Sequence, residues 1–286
     1  MEHEPAVLVI LQTSVVGKWE EPIVSVARGV RKLVKDILRR LDIKITSHAG
    51  FERLVEESRL HRHLALLSKL NDDQIAYFVK NLLERSAAQL GQDLFVLSEL
   101  NLKREGFFVE FGSTNGVDLS NTVLLEKDFG WNGILAEPAR CWHNALKNNR
   151  ACHIETRCVW SSSGSVLTFS EAEWAELSTI SAYKSSDLHE RTRKRSHSYD
   201  VETISLVDLL DSYRAPKFID YLSIDTEGSE LEILAAFDFE KYCFGVISCE
   251  HNFTPAREQI MRLLGSHGYT RKYEDVSLYD DWYVRA

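Results

Sequence analysis

Acidic side chains stand at the ends of four apolar runs: Glu110 in "FFVEFG", Glu137 in "GILAEP", Asp225 and Glu227 in "SIDTEGSE", and Glu250, followed by His251 and Asn252, in "SCEHN". A buried carboxylate is expensive unless something pairs with it. At the rim of a cleft it can take a proton from a hydroxyl or hold a hard cation. Two chemistries fit these residue types. His251 or Asp225 could act as general base. Alternatively, Asp225 and Glu250, with Asn252 or water, could hold a divalent ion that lowers the pKa of a bound hydroxyl, and oxygen ligands favour magnesium or manganese. Glu227 and Gly228 also suit a strand-to-helix turn, with Ser229 or Glu230 as the cap.

The loop after the first run, "GSTNG", brings Gly112, Ser113, Asn115 and Gly116 directly behind Glu110. Glycines there let backbone N–H groups approach a ligand. In doubly wound folds an acid at the tip of the second strand binds ribose hydroxyls, which is the place of Glu137, followed by Pro138. Either acid alone reads as a cap or a solvated group; two at matching strand ends favour a nucleoside site. The loop is not GxGxxG, and no GxxxxGK[ST] occurs, so neither a dinucleotide nor a nucleoside triphosphate is indicated. An acid before a short glycine loop suits S-adenosylmethionine, whose ammonium a carboxylate can meet and whose carboxylate backbone donors can meet.

The elements that must position these residues follow from periodicity. After Gly106, β-rich runs alternate with helical ones: "FFVEFG", "SNTVLLEKDFG", "GILAEP", "RCWHNALKNN", "CHIETRCVW", "FIDYLSIDTEG", "SELEILAAF", "FGVISCEHN" and "TPAREQIMRLLGSHG". That alternation predicts an α/β fold, a mostly parallel sheet with helices on both faces. The closing pair, "YTRKYED" and "LYDDWYVRA", predicts an antiparallel hairpin at one edge. Before residue 100 the pattern is helical, over 22–41, 51–69 and from Asn71, where Gln74 completes a capping box and Gly91 stands near the end. The expected organisation is a mainly helical segment, 1–100, and an α/β domain, 101–286. His61 and His63 have no ligand-type neighbours and are expected on the surface. A polar insertion, 178–200, carries Arg191, Arg193, Lys194 and Arg195 and reads as a solvated loop, with a lid or an anion-docking patch as the other reading.

With 44% hydrophobic and 27% charged residues in 286, the chain reads as a soluble globular protein. A net charge of −9 argues against wrapping a nucleic-acid backbone. The five cysteines form no CxxC pair, so free thiols in a reducing, cytoplasmic setting are expected. The apolar run from Ala6 to Val16 is too short to span a bilayer and follows acids rather than a positive leader.

The segments "FFVEFGSTNGVDLSNTVLLEKDFGWNGILAEP", "FIDYLSIDTEGSELEIL" and "VISCEHN" closely resemble the FkbM family of S-adenosylmethionine-dependent methyltransferases, the match starting at "AQLGQDLFVLSELN" and covering residues 88–286. The resemblance implies a Rossmann-like class I methyltransferase fold and O-methylation of a hydroxyl on a sugar, glycan or secondary metabolite. By position, Glu110, Gly112, Ser113, Asn115 and Gly116 would form the methionine-side loop, and Ser120, Asn121 and Thr122 would open the next helix beside it. Glu137 and Pro138 would meet the ribose, and Cys158, Val159 and Trp160 would flank the adenine. Trp160 departs from the Ala-Leu or Ala-Ile that many members carry. Asp225 would complete the cofactor set, with Glu227, Glu250 and His251 on the catalytic side, and Asp225, Glu250 and Asn252 resemble the metal positions of cation-dependent O-methyltransferases. Two other functions use the same residues: a cofactor-binding protein without catalysis, and a 2'-O-ribose RNA methyltransferase supported by the 191–195 cluster. The acceptor itself and the oligomeric state have no signature in the sequence.

Overall fold

The computed structural model describes residues 63–172, 179–180 and 196–286. The apolar run 6–16, the expected helix over 22–41, most of that over 51–69, His61 and the 191–195 cluster lie outside the described residues.

Phe107–Phe111 (β1) is buried along nearly its whole length, because it lies inside a parallel sheet with both faces covered. It pairs in parallel with Asn132–Ala136 (β2) on one side and Phe218–Ile224 (β8) on the other. β2 continues to His153–Glu155 (β3), and β8 to Cys243–Glu250 (β9). Asp280–Arg285 (β11) runs antiparallel to β9 and pairs outward with Tyr269–Lys272 (β10), giving the order β10-β11-β9-β8-β1-β2-β3. The hairpin expected at one edge is therefore present.

Side chains alternate between two cores. Val109, Ile134, Leu222 and Ile247 point into one, and Phe108, Leu135, Tyr221 and Val246 into the other. The second core is closed by Asp72–Asn81 (α1) and Gln92–Glu99 (α2), whose Phe78, Leu94 and Phe95 are fully buried there. Phe95 stacks on Trp282 of β11 with ring centroids 4.6 Å apart. The described part of the segment before residue 101 thus shares its core with the sheet. The capping box forms as read, Asn71 accepting from the Gln74 N–H at 2.9 Å. Gly91 does not end that helix. It is the N-cap of α2, with φ +81. His63 is 2% exposed and packs toward Gly91, so its expected surface position is corrected.

The run "CHIETRCVW" divides between β3 in the main sheet and Cys158–Trp160 (β4), which opens a second sheet. In that sheet β4 pairs with Ser196–Ser205 (β7), β7 with Val166–Ala172 (β5), and β5 with Thr179–Ile180 (β6). The described parts of the insertion, read as a loop, are strands of this second sheet. Connecting helices are Val123–Phe129 (α3), His143–Asn149 (α4), Leu206–Ser212 (α5), Glu230–Ala235 (α6) and Ala256–Ser266 (α7), and the short Glu274–Ser277 (α8) joins β10 to β11. Among the described residues no helix is long and apolar enough to cross a membrane.

Candidate active site

A cavity of about 1080 Å³, including the part open to solvent, lies beyond the carboxyl ends of β8, β1 and β2. This is where open α/β sheets bind ligands. Glu110, Gly112, Ser113, Ser120, Asn121, Glu137, Pro138, Cys158, Val159, Asp225 and Glu227 all line it.

The Glu110 carboxylate is occupied from within the loop. Its Oε1 accepts from the Asn121 N–H at 2.8 Å, and its Oε2 accepts from the Ser120 hydroxyl at 3.1 Å and from the Thr122 hydroxyl. Those bonds account for an acid buried to 3% exposure at a strand end: it ties β1 to the start of α3. Arg150, whose side chain is fully buried, holds the other side of the loop. It donates to the Gly116 carbonyl at 3.0 Å, Ser120 Oγ at 3.1 Å, Thr122 Oγ1 at 2.9 Å and Glu126 Oε2 at 2.8 Å, and lies 3.9 Å from Glu110 Oε2. Asn115 shapes the loop, its Oδ1 accepting from the Val117 and Asp118 N–H groups. Asn115, Gly116 and Thr122 therefore support the cavity without lining it.

Glu137 follows β2 and is 4% exposed. Its oxygens accept one bond each, from the Thr114 and Ala139 N–H groups, both at 2.8 Å. Each retains a lone-pair direction for a further donor. Burial, aided by the charge of Glu171, pushes its pKa up to about 7. Cys158 and Val159 line the same end, joined by Phe169 from β5, while Trp160 does not line the cavity.

Carboxylate oxygens of Asp225, Glu227 and Glu250 lie within 4.8 Å of one another. Burial, with charge repulsion, raises both Asp225 and Glu250. The acids that converge are these three; Asn252 leaves the strand with φ +42 and its N–H donates to the Tyr279 carbonyl. His251 does not line the cavity. Its Nδ1 accepts from the Phe253 N–H at 3.0 Å, its Nε2 lies 3.8 Å from Asp281 Oδ1, and burial lowers its pKa. The Glu227–Gly228 turn is closed by Glu230, whose Oε1 accepts from the Thr226 and Gly228 N–H groups and from the Thr226 hydroxyl.

The model of the methyltransferase FkbM domain matches residues 110–273, more than half of the chain. The chain belongs to the FkbM methyltransferase family. Solved structures similar to it include the FkbM methyltransferase of Methylobacillus flagellatus KT, at 12% identity over 97% of this chain and 73% of that one, TM-score 0.39. Others are a putative RNA methyltransferase, PH1948, from Pyrococcus horikoshii (11%, 69% and 84%, TM-score 0.36) and the precorrin-6y C5,15-methyltransferase of Geobacter metallireducens GS-15 (14%, 63% and 72%, TM-score 0.35). No curated protein sequence matches the chain.

Four residues of the site and its support escape a reading along the sequence: Arg150, Phe169, Gln92 and Asp280. Asp280 is 6% exposed, lines the cavity and lies opposite Glu250 in register, its Oδ2 accepting from Gln92 Nε2 at 2.8 Å. Burial pushes its pKa up to about 7. The predicted hairpin held the signal for Asp280, because the first residue of an antiparallel strand sits level with the last residues of its parallel neighbours. Arg150 has no local signal, since its partners lie 24 to 34 residues away.

Proposed function

We propose that the chain binds S-adenosylmethionine in this cavity and transfers its methyl group to a hydroxyl of a sugar, glycan or secondary metabolite. The observation that carries the reading is a pair of buried polar atoms without partners on the lining, Ser113 Oγ and Asn121 Oδ1, beside the glycine loop and across from Glu137. Buried polar groups are normally hydrogen-bonded, so an unfilled donor and acceptor on a cavity wall fit a polar ligand. Ser113, Asn121 and the backbone at Gly112 would hold the methionine end. Glu137 would accept from the ribose hydroxyls, and Cys158, Val159 and Phe169 would cover the adenine.

The cofactor supplies an electrophilic methyl on a sulfonium with a good leaving group. The protein must therefore align and desolvate the acceptor and receive its proton. Asp225, Glu227 and Asp280 are the bases that reach this end of the cavity, and His251, turned to Asp281, would act on their surroundings. Asp225, Glu227 and Glu250 also fit a magnesium or manganese ion, in place of the set with Asn252, and a bound cation there would lower the pKa of the hydroxyl. The five free cysteines suit a reducing, cytoplasmic setting.

Calorimetric titration of S-adenosylmethionine into the protein, with Glu137→Ala and an NADH control, tests the cofactor. Binding that weakens strongly in the variant, with none for NADH, supports the reading. A folded protein that binds no S-adenosylmethionine, with or without magnesium, sinks it. An acceptor screen with and without magnesium then separates the proton-transfer routes.

A further inference from the structure

The loop that carries Glu137 is held from the second sheet. After Glu137 the chain runs through Pro138, Ala139, Arg140 and Cys141 toward α4, and side chains take three consecutive backbone N–H groups of that stretch. The Ala139 N–H donates to Glu137 Oε1 at 2.8 Å, the Arg140 N–H to the Tyr199 hydroxyl at 3.0 Å, and the Cys141 N–H to Glu171 Oε2 at 3.5 Å. Tyr199 in turn donates to Glu171 Oε2 at 2.6 Å. Tyr199 belongs to β7 and Glu171 to β5, so two of the three acceptors lie outside the main sheet. The Arg140 guanidinium closes the contact, 4.1 Å over the Tyr199 ring and donating to the Asp200 carbonyl at 3.1 Å.

The same sheet builds the wall of the cavity. Tyr199 stands opposite Phe169 in register, and cross-strand partners share a face. Phe169 lines the cavity, and its ring centroid is 5.8 Å from that of Tyr199. Ala139, 1% exposed, is seated in the small core that Phe169 shares with Cys158 and Val201. Apolar packing of this kind is non-directional, whereas a hydrogen bond fixes an angle. The bond from Arg140 to Tyr199 sits one peptide beyond the bond from Ala139 to Glu137, so a turn of that peptide reaches the Glu137 carboxylate directly. Arg140 is at the surface, where water can take over its N–H. Removing the hydroxyl therefore spares the fold and costs the loop its orientation.

Resting on the cofactor reading above, we propose that Tyr199 is a positioning residue for ribose recognition: its hydroxyl, bridging the Arg140 N–H and Glu171, sets the place of Glu137. The second sheet, and not the main sheet alone, thereby fixes how the nucleoside is read.

Titration calorimetry with S-adenosylhomocysteine and its 2'-deoxy form tests this in the wild type and in Tyr199→Phe. The variant keeps the ring against Phe169 and Arg140 and removes the hydroxyl alone. The wild type is expected to bind S-adenosylhomocysteine at least about tenfold tighter than the 2'-deoxy form, the size of one hydrogen bond to a carboxylate. Tyr199→Phe should narrow that ratio to about threefold or less, weakening S-adenosylhomocysteine while the 2'-deoxy form binds as before. Retained binding of the 2'-deoxy form also shows that the variant is folded. An unchanged ratio in the variant overturns the proposal. So does equal weakening of both ligands, which would make Tyr199 a support of the wall alone, and so does a variant that fails to fold, which would make the hydroxyl structural. A wild type that binds both ligands equally refutes ribose recognition by Glu137, and the proposal with it, while leaving the cofactor in the cavity. A folded wild type that binds neither refutes the cofactor reading itself.

Discussion

Gly112 is where the two halves of the candidate site touch, and replacing it with alanine gives a calculable result. Its φ is +72, and a Cβ there would lie 2.2 Å from the Asp225 carbonyl oxygen. Backbone oxygen cannot rotate away as a side chain could, so the ends of β1 and β8 must separate. Two costs add. A non-glycine residue in the left-handed region costs about 1–2 kcal/mol, and forcing an extra carbon into a packed contact costs about 1–3 kcal/mol. Gly164 supplies the control, since its φ is +76 and a Cβ there meets nothing within 4 Å. Gly164→Ala should lose only the first cost and Gly112→Ala both, so urea unfolding should separate them by about 1–3 kcal/mol. The Gly112 N–H also donates to the Ala136 carbonyl at 3.1 Å, so the shift reaches Glu137. Affinity for S-adenosylmethionine should fall at least about tenfold in Gly112→Ala and stay unchanged in Gly164→Ala. Equal stabilities together with unchanged binding would refute the claim that this contact sets the geometry of the site.

Acids titrating high in the fold make stability fall as pH rises. Glu137 and Asp280 ionise near 7 when folded, against ordinary values of 4.5 and 3.8, and Asp225 and Glu250 are raised as well. Below the unfolded values their contribution is fully present, and between about pH 4.5 and 7 the unfolded chain sheds protons that the fold retains. The melting temperature without ligand should therefore fall by several degrees from about pH 5 to 7.5, and a flat or rising profile over that window would contradict the burial of these acids. Glu126, Glu155 and Asp281 are held low and lose their contribution only on further acidification. Arg150→Met removes the cation between Glu110 and Glu126 and should destabilise by about 3–5 kcal/mol; a loss under about 1 kcal/mol in urea unfolding would make the loop self-supporting. Phe169→Ala should weaken S-adenosylmethionine binding several-fold while the main sheet, followed by hydrogen exchange, keeps its protection; unchanged affinity would remove Phe169 from the adenine side.

The sheet was legible in the sequence because buried parallel strands read as short apolar runs, and their polar ends named Glu110, Glu137 and Asp225 before any geometry. The role of Glu110 was less so. An acid at a strand end looks alike whether a ligand or the next helix takes its lone pairs, and here Ser120, Asn121 and Thr122 take them. The side of the rim that His251 faces was not legible either: a histidine at a strand end can face either side, and this one does not line the cavity, its Nε2 lying 3.8 Å from Asp281 Oδ1. The second sheet was hidden because its strands come from both sides of a long polar insertion, which carries no apolar period of its own. Arg150 was invisible because a fully buried guanidinium reads in sequence as a surface charge at the end of a helix.

The place of β11 has a practical consequence. The family match ends at residue 273, yet β11, Asp280–Arg285, lies inside the sheet between β9 and β10. A fragment trimmed to the matched region would lose Trp282 from the packing on Phe95 and Asp280 from the cavity. It would also turn β9, "CFGVISCE", into an open edge that is apolar along most of its length. Such an edge is a template for pairing with another chain. The matched region expressed alone should therefore collect in aggregates, and anyone choosing limits for expression or crystallisation should carry the chain through Arg285.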